Sequence, residues 1–372
     1  MTHLSFATWR LRTRRVVRSA VYSSSLGKRM MHQRGKRRAQ HLVRNEVSSL
    51  ARIFRENPKQ LFRVQFDNST SPPTYGDLFQ VIMLARYLSL NGLQVEFTFM
   101  DNGNRRSDWM DLSAESQSKF ITEQEALARA LLPNSVTIRT VEGPPGDSEA
   151  TSLARPHLIL GECMTTSPLY TLSPVLLSAC FTDARFGSPS TFLLDESSFP
   201  MPFSALPQGL GPYVAWHIRK GVWDADRDTT NAAIIGDFLE LRQIFPHHSL
   251  MLFSTKEGIE RGLTVLEDAK LLPKMSDQGV AVIGQPMQGF VPAIPFILNA
   301  DFYFQRKGGG IAMVPIFSRV PYLILSGDGN YYHTRIGNRL VPWANEHQRF
   351  VVDPYNADSM TIRSVLTTTK AK

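Results

Sequence analysis

His217-Ile218-Arg219-Lys220-Gly221 places an imidazole, a guanidinium and an ammonium within four consecutive positions, directly after the apolar run 213–216. A strand that ends this way presents cationic donors at its carboxyl end, and the planar fork of arginine makes paired, charge-assisted bonds to phosphate oxygens. A second group of the same character lies at 301–315. There Arg306 and Lys307 stand just before Gly308-Gly309-Gly310, so positive side chains adjoin a run of backbone amides at the expected start of a helix. Arg219, Lys220, Arg306, Lys307, Gly308, Gly309 and Gly310 therefore form the expected set for holding an anion of diphosphate type. The glycine loop fits neither GxxxxGK[ST] nor GxGxxG. In the first half, Gly76 precedes an expected helix start and permits close backbone approach.

Three residues are candidates for moving a proton. Asp77 and Asp101 fall at expected carboxyl-end loops of the first half, and His217 would face them from the second. Two of these have plainer alternatives, Asp77 as a helix cap and His217 as a satisfied interior histidine, and Arg219 with Lys220 has another as surface partners of Asp224, Asp226 or Asp228. Asp224-Ala225-Asp226 matches DxD in form only, inside a loop after Trp223, and no metal is expected. Cys163 and Cys180 lack CxxC spacing and read as buried, reduced thiols, which fits a reducing compartment.

The elements that must position these residues alternate along the chain. Expected strands are 61–66, 94–100 and 135–141, with helices beginning at the cap Asp77 and around 122–132. After a proline-punctuated junction at 160–211, a second alternation runs through strands 213–219, 249–254, 280–283, 301–305 and 320–325. Helices near 230–244, 256–269 and 291–298 separate them, and a further helix follows the triple glycine. Strand-helix-strand repetition of this kind predicts parallel sheets wrapped by helices, with ligands at the carboxyl ends of strands. The expected fold class is α/β, two Rossmann-like parallel-sheet domains facing a cleft. The expected divisions are an arm over 1–45, a first domain over 46–205 and a second over 206–372.

Of the 41 Lys and Arg residues, twelve fall within residues 1–45, which hold no Asp or Glu, leaving 29 basic against 33 acidic residues elsewhere. The basicity is therefore a property of the arm, which is expected to be mobile and drawn to an anionic membrane surface or nucleic acid, or to act as a targeting peptide. No apolar run approaches the roughly 20 residues that span a bilayer, and arginines from Arg10 onward break any signal-peptide core. A cytoplasmic protein with peripheral membrane contact is expected.

His217, Arg219 and Gly221 resemble the HxRxG motif that opens the donor-binding domain of the α1,2/α1,6 and protein O-fucosyltransferase superfamily, with Val222 where that family has an acidic residue. In that family the motif arginine contacts the β-phosphate of GDP-fucose, and the resemblance implies the same role for Arg219. The segment 75–80 resembles the glycine-containing first βα loop of GT-B glycosyltransferases, and 301–315 resembles their late strand-loop-helix at the donor phosphates. The resemblance implies a metal-independent GT-B-like glycosyltransferase with no cofactor beyond its nucleotide-sugar co-substrate, GDP-fucose among the choices, and a glycan, lipid-linked sugar or protein as hydroxyl acceptor. A nucleotide-sugar epimerase or hydrolase on the same scaffold is one alternative. A phosphate- or nucleic-acid-binding protein acting through its arm is another. Deleting residues 1–45 separates that last reading from the rest: donor binding by calorimetry should survive in a transferase, whereas a nucleic-acid binder loses its affinity and its salt dependence.

Overall fold

The computed structural model describes residues 61–68, 75–101, 112–142, 157–159, 193–195, 211–220, 228–272, 282–286, 289–306, 310–325, 349–352 and 361–363. The basic arm, both cysteines, Gly221, Asp224, Asp226, Lys307, Gly308 and Gly309 lie outside them.

The first half is a four-stranded parallel sheet of β1 (Leu61–Asp67), β2 (Gln94–Asp101), β3 (Thr137–Glu142) and β4 (His157–Ile159), in the order β3-β2-β1-β4. Helix α1 (Tyr75–Leu90) joins β1 to β2, and α2 (Ala114–Leu131) joins β2 to β3. Two helix starts differ from the sequence expectation. α1 begins at Tyr75, so Asp77 sits inside its first turn and does not cap it. α2 begins eight residues before the expected 122, where the Ser113 hydroxyl accepts from the Ser116 N–H at 3.2 Å. Its first turns are polar, so no apolar periodicity announces them.

The second half is a six-stranded parallel sheet of β5 (Tyr213–His217), β6 (Ser249–Ser254), β7 (Val282–Pro286), β8 (Phe302–Arg306), β9 (Tyr322–Leu325) and β10 (Arg349–Val352). Helices α3 (Asn231–Ile244), α4 (Lys256–Asp268) and α5 (Phe290–Leu298) connect β5 through β8; a 3-10 turn (Gly310–Ala312) and the short α6 (Met313–Ile316) precede β9. The order β10-β9-β8-β5-β6-β7 is doubly wound: the chain leaves β5 in one direction, returns, and continues in the other from β8. The crevice at the carboxyl ends of β5 and β8 is thus the switch point where such sheets bind ligands.

Strand alternation sets where each side chain goes. Tyr213, Ala215, Met251, Phe253 and Tyr303 face a core that continues into the first half through Leu78, Phe79, Phe97 and Phe99. Val214, Trp216, Leu250, Phe302 and Phe304 face the opposite side, against Ile234, Phe238 and Leu241 of α3 and Ile259 and Leu266 of α4. The two Rossmann-like sheets therefore share one apolar core. Of the proline-punctuated junction, Leu194 is described: its N–H donates to the Phe317 carbonyl at 2.8 Å, forming a parallel bridge with Ser318 of the second half.

The halves also meet backbone to backbone. A Cβ on Gly310 would lie 2.8 Å from the Gly76 nitrogen and 3.2 Å from the Tyr75 Cβ, and one on Gly76 would lie 3.3 Å from the Gly310 Cα. At Gly310 no side chain fits without the facing backbone moving, whereas at Gly76 the contact is tight and the neighbour would have to give by a few tenths of an ångström. By contrast, Gly236 inside α3 has nothing within 4 Å of its would-be Cβ. In chemical denaturation, Gly310→Ala is expected to destabilise the protein by about 1–3 kcal/mol through overpacking, whereas Gly236→Ala should stabilise it by about 0.5–1 kcal/mol through helix propensity.

Candidate functional site

A cavity of about 520 Å³ lies between the halves at this switch point. Its second-half wall contains His217, Arg219, Thr255, Gly289, Phe290, Gly310 and Ile311. Its first-half wall contains Tyr75 of α1, Leu112, and one face of α2 built from Ser116, Lys119, Phe120 and Glu123, whose spacing of three, four and seven residues puts them side by side on the helix.

On leaving β5 the chain is fixed by two bonds between Arg219 and the buried Thr229. The Arg219 N–H donates to Thr229 Oγ1 at 3.3 Å and its carbonyl accepts from the Thr229 N–H at 2.7 Å. The corner is also buttressed by α4, where a Cβ on Gly258 would lie 2.5 Å from the Lys220 carbonyl oxygen. Half-buried Arg219 thereby reaches the cavity from an anchored backbone. Lys220 does not join the lining. Its ammonium donates to the Thr229 carbonyl at 3.2 Å and to Asn231 Oδ1 at 2.9 Å, which directs it to the start of α3.

His217 shares the face of Tyr213 and Ala215 and so points toward the first half, as its position in the strand predicts. It is 6% exposed, and its Nδ1 has no hydrogen-bond partner among the described residues. Burial, and secondarily the positive charge of Arg219, pull its pKa down to about 3, so the ring is neutral near pH 7.

The amino ends of two helices open on the same cavity. Thr255 caps α4, accepting from the Gly258 N–H at 3.1 Å. α5 is capped by Gly289 at φ +126°, which has no side chain to bond the leading amides. Helix dipoles and unpaired N–H groups at such ends favour anions.

Arg306 departs from its expected role. It has the same parity along β8 as Phe302 and Phe304, so it faces α3, is 3% exposed, and pairs with buried Asp237, its Nε lying 3.1 and 2.9 Å from the two carboxylate oxygens. The ion pair holds this guanidinium below the sheet, away from the cavity lining. Of the triple glycine, Gly310 lines the cavity, but it leads into only one 3-10 turn and a four-residue helix, too few aligned peptides for the expected dipole. Gly76 is half-buried at the seam. Asp101 ends β2 half-buried and is not among the lining residues, and the side chain of Asp77 lies outside the described ones.

The α2 face is what sequence reasoning missed. The Tyr75 hydroxyl donates to Glu123 Oε2, and burial first, then Glu123, raise the phenol well above its ordinary range, so it stays protonated. The Tyr75 ring lies 4.5 Å from Phe120 and 5.0 Å from Phe290, making an aromatic row that crosses from one half to the other. Among the described residues no group of three His, Cys, Asp or Glu side chains could hold a metal ion, and no helix is long and apolar enough to cross a membrane.

No protein-family model and no curated protein matches the sequence. Among solved structures, the chain is similar to E. coli heptosyltransferase WaaC with ADP, at 12% identity over 83% of this chain and 99% of that one, with a TM-score of 0.43. It is similar to E. coli ADP-heptose lps heptosyltransferase II at 12% identity over 84% and 98%, TM-score 0.46. A third is the UDP-GlcNAc 2-epimerase of Methanocaldococcus jannaschii, at 11% identity over 84% and 100%, TM-score 0.34.

His217 gives a pH prediction. Its native pKa of about 3 lies below the unfolded value near 6.5. Between these the unfolded chain gains a proton that the native chain does not, so stability present above pH 6.5 is lost as pH falls toward 3. Urea titrations at several pH values should show a shallower loss in His217→Gln, by up to about 1.4 kcal/mol per pH unit.

Proposed function

We propose that this chain is a metal-independent glycosyltransferase that holds the diphosphate of a nucleotide-sugar against Arg219 and the amino ends of α4 and α5, and passes the sugar to a hydroxyl acceptor entering from the α2 side. The observation that carries this reading is the composition of one cavity: Arg219 and two helix amino ends meet at the switch point of the second sheet, and a wall from the other half stands opposite. A departing nucleoside diphosphate gains negative charge as the glycosidic bond breaks, and fixed donors at that point stabilise it without a metal. The cavity has the size typical of small-molecule sites, about 300–1,000 Å³, and a facing wall is what a second substrate requires. Within the class, the His217-Arg219-Gly221 motif makes GDP-fucose the first donor to try.

A thermal-shift series with ADP, GDP, UDP and CMP should single out one diphosphate, a ligand at 100 times its Kd adding about 2.7 kcal/mol of stability. Calorimetry with that nucleotide is expected to show at least about a 10-fold weaker Kd for Arg219→Ala, roughly 1.4 kcal/mol, with Lys220→Ala changing less. Unchanged affinity in Arg219→Ala would put the donor site elsewhere.

A further inference from the structure

We infer that Glu123 takes the proton from the attacking acceptor hydroxyl, an assignment that rests on the glycosyl-transfer reading above. Glu123 is the one carboxylate among the described residues lining the cavity, and it comes from the half opposite Arg219. The cavity thus has Arg219 on one side, suited to the leaving group, and on the other a carboxylate, beside Lys119, suited to the nucleophile. The carboxylate is oriented by the Tyr75 hydroxyl, which donates to Oε2, and Oε1 lies beside Gly289 at the start of α5, 3.4 Å from where a Cβ would stand. Tyr75 is itself clamped between Phe120 and Phe290, which fixes the ring that fixes the carboxylate. Two competing candidates are less suited: Asp101 does not line the cavity, and buried His217 beside Arg219 binds a proton poorly.

In the step this describes, an acceptor oxygen lone pair forms a bond to the anomeric carbon while the bond from that carbon to the β-phosphate oxygen breaks. The electron pair leaves on the nucleoside diphosphate at Arg219, and the O–H proton passes to Glu123, which later releases it to solvent. Tyr75 is a positioning residue, acting only through the carboxylate it holds.

The test uses the full chain and ADP-, GDP- and UDP-sugars with water as the acceptor, reading release of nucleoside diphosphate, beside calorimetry with the free nucleotide. Glu123→Gln should lower kcat by at least about 100-fold, in the usual range for a proton-transfer group, with nucleotide Kd within about 2-fold of wild type. In Glu123→Ala, added formate should restore part of the rate by occupying the vacated space, which a purely architectural role would not allow. Tyr75→Phe, which keeps the ring stack, should lower kcat several-fold at unchanged nucleotide Kd. Turnover of Glu123→Gln within about 3-fold of wild type would overturn the assignment, as would losses that follow nucleotide affinity with no rescue by formate. Failure of the underlying reading looks different: wild-type protein would then bind none of the nucleotides.

Discussion

Gly76 and Gly310 come so close that a side chain on Gly310 would meet the facing backbone, and most of the site's geometry follows from that contact. It brings the first turn of α1 against the start of the 3-10 turn after β8, so Tyr75 stands over the switch point of the other sheet. Tyr75 then spans the seam, its ring tilted against Phe120 from its own half and Phe290 from the other. Below it, Leu78, Phe79, Met313 and Phe317 continue one apolar core from sheet to sheet, with Phe79 and Phe317 stacked at 5.8 Å. Glycine contact, aromatic row and shared core fix the same relation between the halves, so a ligand that touches both walls meets a site already assembled, with less ordering left to do on binding.

The cavity is electrically lopsided, and the fold produces that asymmetry without any metal in the argument. Parallel strands send their carboxyl ends and the following helix amino ends to one edge, which gives the second-half wall its positive character before any side chain is considered. Arg219 adds a full charge there. The neutral state of His217 is a consequence of the same arrangement, since a buried imidazole beside a guanidinium disfavours a second positive charge. Across the cavity Glu123, with Lys119 beside it on α2 and the Tyr75 hydroxyl bonded to it, makes a wall of mixed charge.

Much of the architecture was legible in the sequence because strand and helix periods differ so clearly. The runs 94–100, 213–217 and 249–254 alternate or are wholly apolar, as strands of a covered sheet must be, and the inward direction of His217 followed from its parity with Ala215. The same rule, applied to β8, would have placed Arg306 beneath the sheet with Phe302 and Phe304; attention to its charge obscured its position. The start of α2 was hidden for a physical reason: its first two turns face a cavity and solvent, so Glu115, Ser116, Ser118 and Lys119 carry no apolar stripe to betray a helix. β4 and β10 are three and four residues long, too short for a period to register. Gly76 was recognised as a place of close backbone approach and Gly310 as part of a loop that holds an anion, but sequence could not say that the two approach each other.

The pair formed by Asp237 and Arg306 has a consequence for how this sequence can vary. One helix, α3, holds both strand exits at the switch point, taking Lys220 at Asn231 and Arg306 at Asp237. Losing either member of the buried pair strands an uncompensated charge in an apolar layer, a defect of about 3–5 kcal/mol, whereas exchanging both for well-packed apolar residues can be neutral. Positions 237 and 306 are therefore epistatic: the path between an ionic and an oily version of this layer passes through unfit intermediates, and lineages that diverge here should be found to have changed both sites or neither.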